Sequence, residues 1–428
     1  MDQARAGAHA PEEILETGFL NRFCRNLLLS ALSRIREGYF ELEDERRVVH
    51  RFGDPSASLR ARVTIHDGRT WRLGLLRGEV GLGEGYQRGY WSSPDLVSVA
   101  RLAVRNLQAF EPKGVLSWLG RSLARLRHRF RGNTRQGSQA NIRAHYDLGN
   151  AFYGLWLDET LAYSAAVYEA PEDSLLQAQT NKFERLARML DLQPEDHLLE
   201  IGTGWGGFAL HAASRYGCQV TTTTISGEQQ ALALVRVTEA GLQDRITLLQ
   251  QDYRDLQGHY DKVVSIEMFE AVGLEHYDAF FQVLERVLKP GGRAAIQTIT
   301  MNEAHFKAYV QSTDWIQQHI FPGAELAGLA EILKSLGRVT SLNLVRLEDI
   351  GLHYAHTLKA WRERFHAKLD QVKALGYDDT FVRTWDYYLA YCEGAFLERY
   401  ISDVQLLLVK RDHRGFLPGE PWSGEVSL

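Results

Sequence analysis

The segment Leu198-Leu199-Glu200-Ile201-Gly202-Thr203-Gly204-Trp205-Gly206-Gly207 reads as strand, glycine turn and helix start. Glycines let a backbone approach a ligand closely, and a helix N-terminus offers N–H groups with no intrahelical partner. Gly202, Gly204 and Gly207 satisfy GxGxxG, so a nicotinamide dinucleotide has to be considered beside the plainer reading of a tight turn. A dinucleotide also wants an acid at the end of the second strand, about 20 residues on, to hold a ribose. Threonines occupy 221–224 there, and the first acid is Glu228, past Gly227. Glu200, just before the glycines, suits instead a ligand with a cationic amino-acid end and no pyrophosphate, such as S-adenosylmethionine.

Such a loop must be held by a sheet. From residue 194 on, apolar or β-branched runs at 197–201, 219–224, 246–249, 262–266 and 293–299 alternate with helical segments, the pattern of a parallel sheet covered on both faces. Two later strands are expected at 341–347 and 404–409, with a helical excursion at 304–400 between strands. That excursion carries Phe306, Tyr309, Trp315, Ile316, Ile320, Phe321, Tyr387, Tyr388, Tyr391 and Phe396, which serve either an acyl-chain tunnel or a helical core. Ahead of the sheet, apolar residues at spacings of three and four predict an amphipathic helix over 14–36. Short β-rich runs at 39–42, 48–52, 61–66 and 71–76 then predict a small antiparallel sheet.

Between residues 112 and 146 the chain carries Lys113 and seven arginines, Arg121, Arg125 and Arg129 among them, without one acid. A basic amphipathic helix here fits an anionic membrane surface, each basic residue contributing about 1 kcal/mol. A domain-packing helix with a solvated basic face is the alternative. Residues 132–139 read as a joint.

The 428 residues amount to two or three domains. Hydrophobic content of 45% and charged content of 24% exclude a disordered chain, and the longest apolar runs fall far short of a spanning helix. A net charge of −5 gives no global pull toward nucleic acid, so none is expected as partner. Cys24, Cys218 and Cys392 are widely separated, supporting neither a disulfide framework nor a metal site, and a reducing cytoplasm fits best. The first residues lack the basic-then-apolar order of a secretion signal.

Several blocks together resemble the cyclopropane-fatty-acyl-phospholipid synthase and mycolic-acid methyltransferase family. They are His145-Tyr146-Asp147-Leu148-Gly149-Asn150, Tyr163-Ser164, the glycine loop, Thr224-Ile225-Ser226 with Glu228-Gln229, Gln251-Asp252-Tyr253-Arg254-Asp255, Met268-Phe269-Glu270, Ile320-Phe321-Pro322-Gly323, and Tyr354 with Thr357-Leu358 and Trp361. Gly81-Leu82-Gly83-Glu84-Gly85-Tyr86 resembles the leading domain of longer bacterial members. The resemblance implies an α/β fold: a doubly wound, mainly parallel seven-stranded sheet with lipid-facing helical insertions, after a smaller N-terminal α+β domain. The expected divisions are 1–111 for that first domain, which would present the enzyme to lipid, 112–140 for the basic helix and linker, 141–412 for the methyltransferase and 413–428 for a tail.

The resemblance further implies an S-adenosylmethionine cofactor and phospholipid acyl chains as substrate, with the enzyme peripheral to the inner face of a membrane; a homodimer is compatible with it. Tyr163, Ser164, Gly202 and Gly204 would line the methionine end of the cofactor, beside Glu200. Thr224 and Gln229 would meet the ribose, and Asp252 and Tyr253 would border the adenine, although Tyr253 without its flanking block reads first as a core aromatic. In the family a bound bicarbonate serves as base, held by a Cys, a Glu, a His, a backbone group near an Ile, and a Tyr. Glu270, Ile299 and Tyr354 stand at their positions, but Ala165 replaces the Cys and Gln297 the His. Bicarbonate binding is therefore weakened, and Glu270 is a candidate base in its own right. The product is left open between a cyclopropane and a methylene or methyl-branched chain, and a lipid-binding protein without catalysis is the rival of another class.

Overall fold

The computed structural model describes residues 12–110 and 148–415; the expected basic segment 112–140, and His145, Tyr146 and Asp147, lie outside them. The described chain forms two compact units, one of residues 12–110 with 377–394 and one of 148–376 with 395–415. The expected border near residue 111 is thus incomplete, because a stretch late in the chain returns to the first unit.

In the first unit, α1 (Glu12–Leu32) precedes β1 (Tyr39–Glu43), β2 (Val49–Gly53) and β3 (Arg60–Ile65), followed by α2 (Arg69–Gln87), β4 (Trp91–Ser92) and α3 (Leu96–Arg105). The strand order is β2-β1-β3-β4, and β1 runs antiparallel to β2 but parallel to β3, so the sheet is mixed and not antiparallel as expected. The run 71–76 is helical, a second correction. Trp71 is buried and Leu75 packs on the same core, a spacing of four, while Leu76 is exposed. So short an apolar run does not by itself separate strand from buried helix. Tyr387, for which an acyl-chain tunnel and a helical core were both open, packs against Tyr86 and Trp91 in this unit.

The second unit is built on seven strands: β5 (His197–Ile201), β6 (Gln219–Thr224), β7 (Ile246–Gln250), β8 (Tyr260–Ile266), β9 (Leu288–Met301), β10 (Asn343–Asp349) and β11 (Ile401–Val409), in the order β10-β11-β9-β8-β5-β6-β7. The strands expected from the β-branched runs are all present. Helices α4 (Leu175–Leu190), α5 (Gly207–Tyr216) and α6 (Gly227–Glu239) precede or link the first strands. Later come α7 (Tyr277–Val287), α8 (Leu329–Val339) and α9 (Gly351–Ala367), while α10 (Asp379–Leu397) belongs through residue 394 to the first unit. One core joins the sheet to Phe280, Phe281 and Leu284 of α7 and Ile332 and Leu336 of α8; another joins it to Phe183 and Leu186 of α4 and Phe208 and Ala212 of α5. Each buried Phe, Leu or Ile among them contributes about 1.5–3 kcal/mol relative to exposure. The sheet is therefore doubly wound, as expected.

β11 alone runs opposite to the other six strands, pairing Gln405 with Gln297 and Asp403 with Ile299 on β9. Ligands in such sheets bind beyond the carboxyl ends of the parallel strands. Reversing β11 brings its first residues to that edge, and the two-residue side-chain period places 403 and 405 on one face with 297 and 299. No described helix is long and apolar enough to cross a membrane.

Candidate active site

The glycine loop leaves β5 at Ile201. Gly202 has φ +102°, and a Cβ there would meet the Met268 side chain at 3.1 Å, so the turn accepts only glycine without displacement. Gly204 is also left-handed, with open space where its Cβ would stand. Both Gly202 N and Thr203 N donate to Thr223 O, which pins the loop to β6. Behind it, Thr222 Oγ1 donates to Glu200 Oε2 at 2.6 Å, and Thr203 Oγ1 lies 2.6 Å from Thr222 Oγ1. Burial pushes the Glu200 carboxyl up to about 8, against the pull of the Thr222 hydrogen bond and Lys182. A buried acid of this kind is poised for a cationic ligand.

A second group of carboxyls lies where β8, β9 and β11 meet. Glu267 directly follows β8 and holds φ +47°, a left-handed conformation that a branched or long side chain adopts only under constraint. Three donors supply that constraint. Ala165 N donates to Glu267 Oε1 at 2.7 Å, Gln297 Nε2 to the same oxygen at 2.8 Å, and Tyr354 OH to Oε2 at 2.9 Å. Ala165, Gln297 and Tyr354 are three of the positions that the resemblance assigns to a bound bicarbonate, and all three hold one side-chain carboxylate.

The direction of the Gln297 amide is set from outside. Arg185 Nε, which can only donate, gives its hydrogen to Gln405 Oε1; Gln405 Nε2 donates to Gln297 Oε1 at 3.0 Å, leaving Gln297 Nε2 to face the carboxyls. That nitrogen also donates to Asp403 Oδ2 at 3.0 Å. Lys182, fully buried on α4, donates from Nζ to Ser164 Oγ at 2.6 Å. Burial lowers its ammonium to about 8, with Glu267, Asp158, Asp403 and Glu200 opposing that shift. Sequence reasoning named none of Glu267, Asp403 and Lys182.

Glu270 stands one turn on. Its Oε1 accepts from Thr298 Oγ1 and, in a short contact, from Ile299 N, while its buried Oε2 has no donor among the described residues. Burial, then the nearby Glu267, pushes it up to about 7. The expected catalytic residues thus divide: Glu270 with Ile299, and Gln297 with Tyr354 around Glu267.

Tyr163 lies within an aromatic cluster, its ring centroid 5.4 Å from Trp156, 5.4 Å from Trp361, 5.5 Å from Tyr153 and 6.0 Å from Phe321. Such faces attract cations. Thr224 Oγ1 donates to Gln229 Oε1 at the mouth of β6. The Asp252 carboxylate receives Arg254, and the Tyr253 ring meets Phe280 edge-on as part of the core. His353 accepts from Tyr168 N through Nδ1 and so has a packing role.

The profile for mycolic acid cyclopropane synthetase matches residues 133–406. The chain belongs to this family. It is 39% identical over 340 residues to a tuberculostearic acid methyltransferase, UfaA1, of Mycobacterium tuberculosis, covering 78% of this chain and 79% of that one. It is also 36% identical over 336 residues to the cyclopropane-fatty-acyl-phospholipid synthase of Escherichia coli, covering 78% and 82%. Among solved structures, the mycolic acid cyclopropane synthase CmaA1 complexed with SAH and CTAB superposes with a TM-score of 0.59 at 30% identity, over 64% of this chain and 98% of that one.

The protein is accordingly an S-adenosylmethionine-dependent, lipid-modifying methyltransferase of the cyclopropane synthase family. Its own residues fit that cofactor: a buried acid beside a turn that a Cβ would fill, and an aromatic cluster at Tyr163 suited to positive charge.

Proposed function

We propose that this family member methylates the double bond of an unsaturated acyl chain carried on a phospholipid, and that Glu267 is the base. The product on this reading is an open-chain methylene or methyl-branched lipid. The observation that carries it is the convergence of Ala165 N, Gln297 Nε2 and Tyr354 OH on the Glu267 carboxylate. With that place taken by a side chain, no separate bicarbonate is needed there, and the proton acceptor is part of the polypeptide.

When bound, S-adenosylmethionine supplies an electrophilic methyl group on a positively charged sulfur. Glu200 and Ser164 hold the amino-acid end, and the glycine turn allows close approach. An isolated alkene is a poor nucleophile, so the chain must be held in line and dry. As the new carbon–carbon bond forms, positive charge develops on the acyl chain, where the faces of Tyr163 and Trp361 and the Glu267 carboxylate oppose it. A C–H bond beside the cationic carbon then breaks, its electron pair closing a double bond next to the methyl branch and its proton passing to Glu267; when a hydride first shifts from the methylated carbon to the cationic one, the same base takes a proton of the new methyl group and the electron pair closes the methylene double bond. Glu270 holds the β9 backbone at Ile299, and we assign it positioning in place of the base role.

The departures at Ala165 and Gln297 support the open-chain product. A cyclopropane follows from the same base if the proton leaves the new methyl group and the ring closes. Lipids from cells expressing the protein, labelled from deuterated methionine, separate the two. Mild catalytic hydrogenation saturates a methylene chain and leaves a ring intact, so a labelled product that resists hydrogenation overturns the open-chain assignment. We also propose that segment 112–140 meets anionic phospholipid at the cytoplasmic membrane face. Replacing Arg121, Arg125 and Arg129 by Glu should weaken sedimentation with anionic vesicles without unfolding the protein, and unchanged sedimentation rejects it.

A further inference from the structure

Asp403 is fully buried at the start of β11, with one carboxyl oxygen accepting from Gln297 Nε2 and the other, Oδ1, without a donor among the described residues. A charged carboxylate left in that state is costly, because burial removes water and only one amide hydrogen replaces it. The Gln297 amide that reaches Asp403 Oδ2 at 3.0 Å also reaches Glu267 Oε1 at 2.8 Å, so the two carboxyls are neighbours across one nitrogen. Two carboxyls sharing a site do not both ionise readily. Their environments differ. Glu267 is half-buried and receives three donors, whereas Asp403 is sealed and receives one.

We propose that Asp403 and Glu267 form a carboxylic acid–carboxylate pair in which Asp403 holds the proton and donates it as a hydrogen bond to Glu267. Asp403 is then a positioning residue: it keeps Glu267 ionised and turned toward the substrate while adding no second charge to the buried site. This rests on the reading of Glu267 as base. The titratable groups facing Asp403 are Glu267, Glu270 and Lys182, and Tyr354 faces Glu267 from the other side. Burial and the adjoining Glu267 carboxylate both push the Asp403 carboxyl well above its ordinary range, and Lys182 opposes them less strongly.

The test uses Asp403→Asn and Asp403→Leu in the full-length enzyme, with turnover on unsaturated phospholipid vesicles followed against pH. An Asn amide can donate to Glu267 as the acid does, so Asp403→Asn should leave the acid limb of the profile where it stands. Leucine removes the donor, and the limb should move up by about one pH unit or more, since Glu267 loses a hydrogen bond to its charged form. If both variants move the limb down, Asp403 was ionised and the proposal falls; if neither moves it, the two groups are uncoupled and the proposal falls as well. Infrared spectra of the resting enzyme give a readout that needs no turnover. In the difference spectrum between parent and Asp403→Asn, where the bands of the other buried carboxyls Glu200 and Glu270 cancel, one buried carboxylic-acid carbonyl stretch should be lost. Should Glu267→Gln retain full turnover while that band persists in the parent, the base assignment fails and the proton on Asp403 stands.

Discussion

Replacing Glu267 by glycine tests the internal base without the usual confusion between lost chemistry and lost folding. The residue holds φ +47°, a conformation that costs a non-glycine residue about 1–2 kcal/mol and costs glycine nothing. Relief of that strain offsets part of the cost of the donors left behind, so Glu267→Gly should fold with a lowered melting temperature that a bound anion raises again. What it loses is the carboxylate. Removal of a positioned base slows a reaction by about 10²–10⁴-fold, which at about 1.36 kcal/mol per tenfold is about 2.7–5.4 kcal/mol of barrier. The three donors at 2.7, 2.8 and 2.9 Å remain, now facing the space the carboxylate filled. Buried donors without an acceptor cost about 1–3 kcal/mol each, so a small carboxylate anion has a driving force to enter. Methyl transfer to unsaturated phospholipid vesicles, measured in carbonate-free buffer and then with added bicarbonate or formate, should show low activity that the anion partly restores. Glu267→Gln, which keeps the space filled, should not be rescued. Full activity of Glu267→Gly without any anion refutes the reasoning, and so does a parent enzyme that itself requires bicarbonate.

Two further outcomes follow from the charges around the cofactor loop. Glu200 is pushed up to about 8 by burial, so below that pH it carries a proton in the ligand-free protein. A cationic ligand favours the ionised form, so binding releases the proton, and affinity should rise toward pH 8 by up to about tenfold per unit. Calorimetry of S-adenosylhomocysteine in buffers of different ionisation enthalpy measures that proton; its absence removes Glu200 from contact with the amino group. Lys182→Met deletes the ammonium that faces Glu267, Asp158, Asp403 and Glu200. Breaking a buried charge set costs about 3–5 kcal/mol, read as a lowered urea midpoint, and an unchanged midpoint would show that the ammonium does not hold these acids together.

The parallel sheet was legible because its strands are β-branched or apolar runs bounded by glycine, proline and polar turns, with the chemistry announced by Glu200 and the glycines. The site beyond the loop was not, for a physical reason. Ser164, Lys182, Glu267, Gln297 and Asp403 come from five separate segments, and only the tertiary fold brings them together. Two of them nonetheless left a trace. Ala178, Lys182 and Leu186 recur at a spacing of four along α4, so a lysine occupies the buried stripe of an amphipathic helix, where it requires partners. Glu267 is the first residue after β8, at the carboxyl edge where parallel sheets place their ligands. The run 71–76 misled because its few apolar residues fit either period, and the glycine-rich block after it is helical again beyond a break at Gly78.

Ala165, Gln297 and Glu267 make physical sense as a set on the proposed reading. An anion captured from solution must be bound before each turnover, whereas a tethered carboxylate is always at hand, an advantage of the same kind as an intramolecular reaction over a bimolecular one. The cost is permanent negative charge in a site that must stay dry. A cationic ligand such as histidinium at 297 would pair with that charge and weaken it as a base; a neutral amide, aimed by Gln405 and Arg185, orients the carboxylate without doing so. A polar side chain at 165 would compete for the same space, and alanine leaves the backbone N–H to do the holding. Gln297 and Ala165 therefore need not mark a degraded anion site. They are the neutral surroundings that a built-in base requires, with the Lys182 ammonium and the proton on Asp403 limiting how much charge the interior carries.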